Sequence, residues 1–326
     1  MNAPAIPRRP LGKTGLQVSA LAQGGHHLGD AVEFRLADQI VGEGIDGGIN
    51  FFDNCWEYHN GRSEEWLGRA LSTGGRRDKV ILMTKVCTHG RDGTLAMKML
   101  EESLRRLRTD HLDVWQVHGV VFDNDPELAY RKGGVLEALD LAKRQGKTRF
   151  VGFTGHKRPA VHMEMIARGY PWDTCQFPLN PYDAHFFSFA ESVLPECNKR
   201  GIAVLGMKPM TGKAGPIAHG ILAPEEMLRY AMSLPVATTI CGMDKLEALR
   251  ANLRVAQGFR PMSAEEMQRI RERCAPTAAD GRFEVYKVSL AFDNPAAREA
   301  HGFPIDPVQM EVKEEIEHAM GTDPMK

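Results

Sequence analysis

The amino-acid sequence predicts a (β/α)8 barrel with an N-terminal β-hairpin cap and a C-terminal tail. Eight short β-rich runs recur at intervals of roughly 25 to 36 residues, about the length of one strand-plus-helix unit. Amphipathic stretches separate these runs, and several runs are nearly all apolar, as expected of parallel strands that are covered on both faces. The chain has 326 residues, which fits one barrel of about 250 residues with additions.

The predicted strands follow one another without a low-complexity linker up to about residue 275. They are residues 18–22, 49–53, 80–85, 112–118, 150–154, 174–177, 202–207 and 237–241. Between them, segments such as 97–108 and 135–143 have apolar residues at three- and four-residue spacing, which indicates helices. A cation followed by glycine at 144–146 and 199–201 is typical of a helix C-terminus. We therefore expect one domain over residues 1–326, with the barrel at about 8–275.

Two segments lie outside the eight repeats. Residues 9–18 contain Lys13-Thr14-Gly15 between apolar residues, which predicts a hairpin that covers the barrel floor. The tail, about 276–326, has several prolines and ends in a short charged helix pattern at 312–320. Its aromatic residues are Phe283, Tyr286, Phe292 and Phe303. Such a tail is either an oligomer contact or a cover over the barrel mouth.

Composition and charge exclude several classes of protein. The 41 Lys+Arg and 42 Asp+Glu residues nearly cancel, and hydrophobic residues make up 43% of the chain, so a disordered chain is not expected. A nucleic-acid partner is not expected either, because no basic surplus is present. No apolar run reaches the length of a membrane span.

The cysteines and the N-terminus indicate a compartment. The six cysteines are spread along the chain without a C-x-x-C pair, and buried free thiols are the simplest interpretation of such spacing. Arg8-Arg9 resembles a twin-arginine export signal, but no sustained apolar stretch follows it. We therefore expect a cytoplasmic protein.

A glycine pattern at 42–47 matches a dinucleotide fingerprint by its letters alone. That fingerprint has to follow a strand and open a helix, whereas here the glycines close a predicted helix and precede a strand. They are better explained as a helix end and a turn.

Four polar residues occupy positions where a barrel places its active site. In such barrels the C-terminal strand ends and the loops after them face the site. Asp53, Lys85 and His118 end three successive predicted strands, and Tyr58 follows Asp53 by five residues. Each has a structural alternative: a buried ion pair for Asp53 and Lys85, a hydrogen-bonding histidine, and a packed rim tyrosine. Their placement on successive strands favours a proton-transfer site.

The sequence resembles the aldo/keto reductase family over about residues 8 to 260. Residues 51–58 (FFDNCWEY) and 62–68 (RSEEWLG) look like the family signature, and 9–18 resembles its N-terminal hairpin. Residues 83–85 and 112–118 are similar to its third and fourth strands. The resemblance implies an enzyme that reduces aldehydes or ketones with NAD(P)H and without a metal.

The resemblance also implies a role for each of the four residues. Tyr58 would be the general acid that protonates the carbonyl oxygen. Lys85 would lower the pKa of Tyr58, since a nearby ammonium favours the phenolate, and Asp53 would hold Lys85. His118 would hydrogen-bond the carbonyl oxygen, where negative charge develops.

The family pattern at the cofactor site is matched in part. Gln176 resembles the glutamine that binds the nicotinamide carboxamide, while Thr154-Gly155-His156 replaces the usual Ser-Asn pair. We expect cofactor contacts from Gly25, His26, Thr154, Gly155, His156, Gln176, Met207, Lys208, Pro209, Met210, Gly212, Gly242, Met243 and Asn252. The positions that often bind the adenosine 2′-phosphate are not basic here, although Lys208, Lys213, Lys245 and Arg250 are nearby in sequence. NADP(H) is therefore only slightly favoured over NAD(H).

The expected partner is a small carbonyl substrate, with a homo-oligomer as a further expectation. His26, Trp56 and His59 are expected to shape the substrate pocket, with loop packing as the alternative. A metal-dependent barrel hydrolase is disfavoured, because His26 and His27 are adjacent and cannot easily face one ion together. The other alternative is a nicotinamide-binding, redox-sensing regulatory subunit on the same fold, similar to potassium-channel β subunits.

Overall fold

Eight parallel strands close into a barrel in the computed structural model, which describes residues 4–31, 33–87, 90–300 and 302. Two hairpin strands, β1 (Arg8–Pro10) and β2 (Gln17–Ser19), precede the barrel strands β3 (Leu21–Gly24), β4 (Phe51–Asp53), β5 (Ile81–Val86), β6 (Leu112–Val117), β7 (Thr148–Thr154), β8 (Thr174–Pro178), β9 (Ala203–Met207) and β10 (Thr238–Gly242). Neighbours in the barrel are neighbours in sequence, and β10 closes the ring on β3. The predicted fold class is confirmed.

Helices follow the barrel strands. They are α1 (Phe34–Asp46), α2 (Arg62–Leu71), α3 (Gly93–Leu107), α4 (Asp125–Tyr130), α5 (Val135–Arg144), α6 (Pro159–Ala167), α7 (Val193–Arg200), α8 (Gly215–Ala218), α9 (Pro224–Ser233), α10 (Leu246–Gln257), α11 (Ala264–Cys274), α12 (Val285–Val288) and α13 (Pro295–Ala300). The predicted glycine stops follow α5 and α7, where Gly146 and Gly201 have φ of 72° and 70°, values that glycine adopts without strain. The glycine pattern at 42–47 lies at the end of α1, as expected.

The first predicted strand is displaced in the structure. Residues 18–22 were expected to form it, but Val18 pairs with Arg9 in the hairpin and the barrel strand begins at Leu21. The reason is local pairing: the amide of Ala20 donates to the carbonyl oxygen of Pro7 (2.9 Å), which extends the hairpin beyond its last paired residue.

The hairpin closes the barrel floor, as the sequence predicts. Leu11 and Val18 are fully buried in the apolar cluster that fills the barrel interior. Arg9 donates two hydrogen bonds, to the carbonyl oxygens of Met232 (2.7 Å) and Val236 (3.0 Å) at the end of α9. These contacts fasten the hairpin to the outer layer of helices.

Alternation along the strands determines which side chains face inward at the C-terminal ends. Phe51 belongs to the interior cluster and Phe52 to the layer between strands and helices. Because successive strand residues point to opposite faces, Asp53 faces the interior again. On β5, Met83 lies in the interior cluster, so Lys85 likewise faces inward.

The described part of the tail crosses the C-terminal face of the barrel. The ammonium of Lys287 donates to Asp183 Oδ1 (2.8 Å) and to the carbonyl oxygen of Phe186 (2.7 Å), beyond β8. The guanidinium of Arg298 contacts Asp125 of α4, and both side chains are fully buried. Residues 276–300 thus cover the barrel mouth, which is one of the two roles expected for the tail.

Three further expectations can be compared with the structure. The helix pattern at 312–320 and Phe303 lie outside the described residues, so the single-domain division over 1–326 stays a prediction. All six cysteines are free and buried, as the cysteine spacing indicates. In the part of the chain that the structure describes, every helix is too short or too polar to cross a bilayer.

Candidate active site

A buried ion pair joins the ends of β4 and β5. The ammonium of Lys85 contacts Asp53 Oδ1 and also donates to the carbonyl oxygen of Asn54 (2.8 Å). Lys85 is 1% exposed and Asp53 4%. Two charges this far from water are stable only as a pair. Asp53 and Lys85 can form this pair because they occupy neighbouring inward positions on β4 and β5.

Tyr58 lies beside this pair because the chain turns sharply after β4. A 3-10 turn spans Tyr58–Gly61, with His59 and Asn60 in left-handed conformations at φ of 52° and 54°. The Lys85 ammonium lies 5.1 Å from the centre of the Tyr58 ring. Residues in this strained region are enriched at functional sites, and here the strain places the phenol against the Lys85–Asp53 pair.

The pKa of Tyr58 moves in the direction opposite to the one expected from Lys85. Burial raises the pKa of the phenol well above its usual value, and the neighbouring ionisable groups, Asp53 first and then Cys55 and Glu57, raise it further. The physical reason is that loss of water around the phenol disfavours the phenolate more than the Lys85 ammonium, itself paired with Asp53, favours it. Tyr58 therefore keeps its proton at neutral pH, the state that a proton donor needs.

His118 completes the group on the neighbouring strand. Its amide donates to the carbonyl oxygen of Val86 (3.0 Å) at the end of β5, and its ring lies 5.9 Å from that of Tyr58, nearly perpendicular to it. Nδ1 of His118 is 2.7 Å from Glu57 Oε1 and 3.3 Å from Cys55 Sγ. The structure thus brings together all four residues that the sequence singles out.

The three residues expected to shape the substrate pocket lie in two places. The His26 ring is 5.2 Å from the Tyr58 ring and therefore borders the phenol, whereas the His59 ring lies 4.8 Å from that of His26. Trp56 instead donates its indole N–H to Glu102 of α3 (2.8 Å). The pocket role of all three residues stays a prediction.

Gly25 provides the space in which β3 approaches β4. A Cβ at Gly25 would lie 2.4 Å from the carbonyl oxygen of Asp53, closer than any side chain permits. The hydroxyl of Ser63 donates to the carbonyl oxygen of Gly25 (2.6 Å), which fastens this strand end to α2.

Gln176 and Thr154 lie side by side on two adjacent strands of the barrel. They are paired residues of β8 and β7, and both are 1% exposed. The Gln176 amide donates to Met207 Sδ (3.6 Å), while its Oε1 is without a hydrogen-bond partner among the described residues. An unpaired buried oxygen is costly, and here it is available for a ligand that donates N–H.

Gly155 and His156 follow β7 in a tightly packed turn. A Cβ at Gly155 would come within 2.1 Å of the carbonyl oxygen of Val120. His156 Nε2 lies 2.9 Å from Asp293 Oδ1 of the tail. Burial lowers the pKa of His156 to about 4, although the Asp293 carboxylate opposes this shift. His156 is thus a neutral ring bound to the tail.

The loop after β9 is held by the tail. Met207 ends β9, followed by Lys208, whose φ is 54°, and by Pro209, Met210 and Gly212. The Lys208 ammonium lies 4.9 Å from the Tyr286 ring centre and 5.2 Å from that of Phe292. Burial and repulsion by Lys85 lower the pKa of Lys208 to about 8, with Asp293 opposing them. The tail thus encloses a weakly basic ammonium.

The expected contacts after β10 differ in their surroundings. A Cβ at Gly242 would lie 2.0 Å from His27 Nδ1, so the imidazole rests on this glycine. Met243 is fully buried in the core, and Asn252 is 6% exposed with its amide donating to Cys241 Sγ (3.4 Å). Arg250 forms two hydrogen bonds of 2.8 Å with Glu43. Asn252 and Arg250 are thus already engaged with other residues.

The structure adds residues that the sequence did not indicate. Asn294 of the tail donates to Glu57 Oε2 (3.1 Å), while Oε1 of the same carboxylate faces His118. Asp293 contacts Lys157 as well as His156, and Asn180 donates to the Tyr286 hydroxyl (3.0 Å). Glu57 stands next to Tyr58 in the signature and could have been noticed there. The tail residues have no comparable signal in the sequence.

A closed parallel barrel with these side chains at its C-terminal strand ends is the architecture of a (β/α)8-barrel enzyme. Residues 20–216 match the Aldo/keto reductase family. The chain belongs to this family of oxidoreductases.

Individual relatives agree with the family assignment. An uncharacterized oxidoreductase, YrpG of Bacillus subtilis, is 30% identical over 227 residues, which are 62% of this chain and 66% of that protein. The holo form of aldo-keto reductase AKR11C1 from Bacillus halodurans has a TM-score of 0.70 at 25% identity, over 82% of this chain and 96% of its own. An aldo-keto reductase from Klebsiella pneumoniae in complex with NADPH has a TM-score of 0.68 at 20% identity, over 83% of this chain and 96% of its own.

Proposed function

We propose that this enzyme reduces a small aldehyde or ketone to an alcohol with NAD(P)H, with Tyr58 as the general acid. The observation that supports the proposal most directly is the position of the Tyr58 phenol beside the Lys85–Asp53 pair, with the His118 ring 5.9 Å from the phenol ring. Hydrogen-bond donors that converge on one point stabilise an oxygen on which negative charge develops.

The residues at the ends of β7 and β8 fit a nicotinamide cofactor. The unpartnered Oε1 of buried Gln176 can accept from the carboxamide of the cofactor, and the Thr154 hydroxyl beside it can donate to the same group. When bound, the cofactor supplies the hydride. His156 fits less well, because Asp293 occupies its Nε2, so the replacement of the family asparagine by this histidine stays open to experiment.

The protein residues then have separate tasks in the reaction. Tyr58 transfers its hydroxyl proton to the carbonyl oxygen, and Lys85 stabilises the phenolate that remains. Nδ1 of His118 donates its proton to Glu57 Oε1 (2.7 Å), and Nε2 points to the same carbonyl oxygen, to which it donates in the imidazolium form, where both ring nitrogens carry a proton. Glu57, which Asn294 orients, is the positioning residue for the His118 ring.

We further propose NADP(H) as the preferred cofactor. The NADPH complex of the Klebsiella relative supports this choice, and the exposed ammonium of Lys245, which follows β10, can contact a phosphate. Arg250 is paired with Glu43. Fluorescence titration with NADPH and NADH tests the preference, and equal affinities would contradict it.

A matched pair of tyrosine variants tests the general acid. Tyr58→Phe should lower kcat/KM for NADPH-dependent reduction of a panel of small aldehydes and ketones by about 100-fold or more, while NADPH binding is retained. Tyr170→Phe is the control, because the Tyr170 hydroxyl bonds Asp140 on the helical layer (2.7 Å). Full turnover in Tyr58→Phe would refute the assignment. Binding of NADPH without turnover of any carbonyl by the wild type would favour the regulatory subunit.

We also propose a cytoplasmic location, because six buried free thiols suit a reducing compartment. A homo-oligomer stays a prediction, which sedimentation analysis of the full chain would test.

A further inference from the structure

Three side chains next to Tyr58 have the composition of a transition-metal site. They are Cys55, Glu57 and His118, whose donor atoms all lie within 4.8 Å of one another. Cys55 Sγ is 3.3 Å from His118 Nδ1, and that nitrogen is 2.7 Å from Glu57 Oε1. A thiolate, an imidazole and a carboxylate are the three types of ligand that proteins offer to zinc.

The distances are close to those of a tetrahedral ion. With bond lengths of about 2.3 Å to sulfur and about 2.1 Å to nitrogen or oxygen, ligand atoms around zinc are separated by about 3.4–3.6 Å. The Cys55–His118 separation nearly meets this value. Glu57 has to retreat by about 0.7 Å to open the site, a small movement for a side chain that is 20% exposed.

We propose that Cys55, Glu57 and His118 bind one Zn²⁺ ion, with water as the fourth ligand, and that this ion inhibits the enzyme. The ion reaches the site from the barrel mouth, where His118 and Glu57 are partly exposed, while Cys55 lies beneath them at 0% exposure. Asn294 holds Glu57 by its other oxygen, Oε2. Such a partner orients a ligating carboxylate and strengthens the site.

Binding exchanges a proton for the metal. Burial, and secondarily the Glu57 charge, raise the pKa of the Cys55 thiol well above its usual value, so the S–H bond is intact in the free enzyme. As the zinc–sulfur bond forms, the S–H bond breaks and its proton passes to solvent water. No oxidant or reductant is involved, since zinc stays divalent throughout.

The inhibition follows from the position of the ion and rests on the proposed reductase function. Zinc removes the Cys55 and Glu57 contacts of His118 and places two positive charges beside Tyr58 and Lys85. The ring of His118 is then fixed by the metal and cannot adjust to the carbonyl oxygen. The binding itself does not depend on that function.

A second cluster provides the main alternative. His26, His27 and Asp30 also have donor atoms within 4.8 Å of one another, so the expectation that the adjacent histidines cannot easily face one ion is wrong. All three residues are exposed, however, and none offers sulfur. Sulfur coordination therefore distinguishes the two clusters, and the position of the ion can be read without any measurement of turnover.

The experiment uses the full-length enzyme freed of metal with EDTA and titrated with Zn²⁺ in a calorimeter. We expect one tight equivalent, and X-ray absorption at the zinc edge should show one sulfur ligand. Cys55→Ser should remove the sulfur ligand and weaken zinc binding by about 10-fold or more. Glu57→Gln should weaken binding to a similar extent but retain the sulfur ligand. Cys197→Ser, a buried thiol in α7, is the control that should bind as the wild type does.

Two results would overturn the proposal. One is a zinc spectrum with only nitrogen and oxygen ligands, above all if His27→Ala abolishes binding. The other is an unchanged affinity in folded Cys55→Ser. Inhibition is measured separately: Zn²⁺ should suppress NADPH-dependent turnover reversibly, and EDTA should restore it. If the carbonyl panel shows no turnover at all, the reductase proposal fails while the spectrum still decides the zinc site.

Discussion

Replacement of Lys85 by methionine tests how much the folded protein is destabilised when the buried Asp53 carboxylate loses its ion-pair partner. Lys85→Met keeps the length of the side chain and leaves the Asp53 carboxylate 4% exposed without its ammonium. Removal of one member of a buried ion pair costs about 3–5 kcal/mol. With an unfolding entropy of about 2.1 cal/mol/K per residue, the expected fall in melting temperature for a chain of 326 residues is about 4–7 °C.

The double variant Asp53→Leu with Lys85→Met separates stability from chemistry. With both charges gone, the buried site is apolar, and such replacements are often neutral or stabilising. The carbonyl oxygen of Asn54 still loses its donor, so the recovery should be large but incomplete. Neither variant should reduce a carbonyl, because Tyr58 lacks the cation that stabilises its phenolate.

Calorimetric melting of the variants, beside a surface control, measures the effect. Lys143→Met removes an ammonium that is 38% exposed and 3.6 Å from Asp173, and exposed pairs contribute at most about 1 kcal/mol. If Lys85→Met has the same melting temperature as the wild type, the unpaired Asp53 carboxylate does not destabilise the fold. If the double variant is as unstable as Lys85→Met alone, the instability does not come from the unpaired Asp53, and the reasoning is wrong.

The remaining predictions concern the turn after β7 and the tail. Because the pKa of His156 is about 4 in the folded chain and about 6.5 in an unfolded one, the unfolded state binds the proton first as pH falls. Stability should therefore decrease by about 3 kcal/mol from pH 6.5 to 4, and His156→Gln should flatten that slope in urea titrations. Asp293→Ala leaves the buried Lys157 ammonium without its carboxylate partner, with the carbonyl oxygen of Ser289 (3.1 Å) still as an acceptor. Amide exchange over 285–295 should therefore accelerate at least 10-fold while the barrel is unaffected; unchanged exchange would show that other contacts hold the tail. Gly155→Ala brings a methyl group against the carbonyl oxygen of Val120 and should cost about 1–3 kcal/mol together with NADPH affinity, whereas Gly146→Ala, which meets no atom within 4 Å, should retain that affinity.

Much of the site could be predicted because a barrel converts sequence position into spatial position. Parallel strands begin at one end of the barrel and finish at the other, so residues that end successive strands meet there whatever the helices between them contain. Asp53, Lys85 and His118 are predictable for this reason, and Tyr58 follows from the short loop after β4. The first strand was misplaced because a hairpin and a strand have the same two-residue periodicity.

The direction of the Tyr58 pKa shift could not be predicted from residue types. A cation near a phenol lowers its pKa only if the cation is not already neutralised and the phenol is hydrated. Asp53 neutralises Lys85, and burial of the phenol outweighs what remains. The balance depends on distances and on water access, neither of which is encoded in local sequence.

The barrel, its strand ends and the four residues that meet there are predictable because they follow from periodicity along one continuous chain. The position of the tail depends instead on contacts between distant residues. Asp293 meets His156 across 137 positions and Asn294 meets Glu57 across 237. Such contacts require the folded barrel, which brings distant charges and amides together in a buried place where they have to be paired. No local sequence pattern distinguishes these residues.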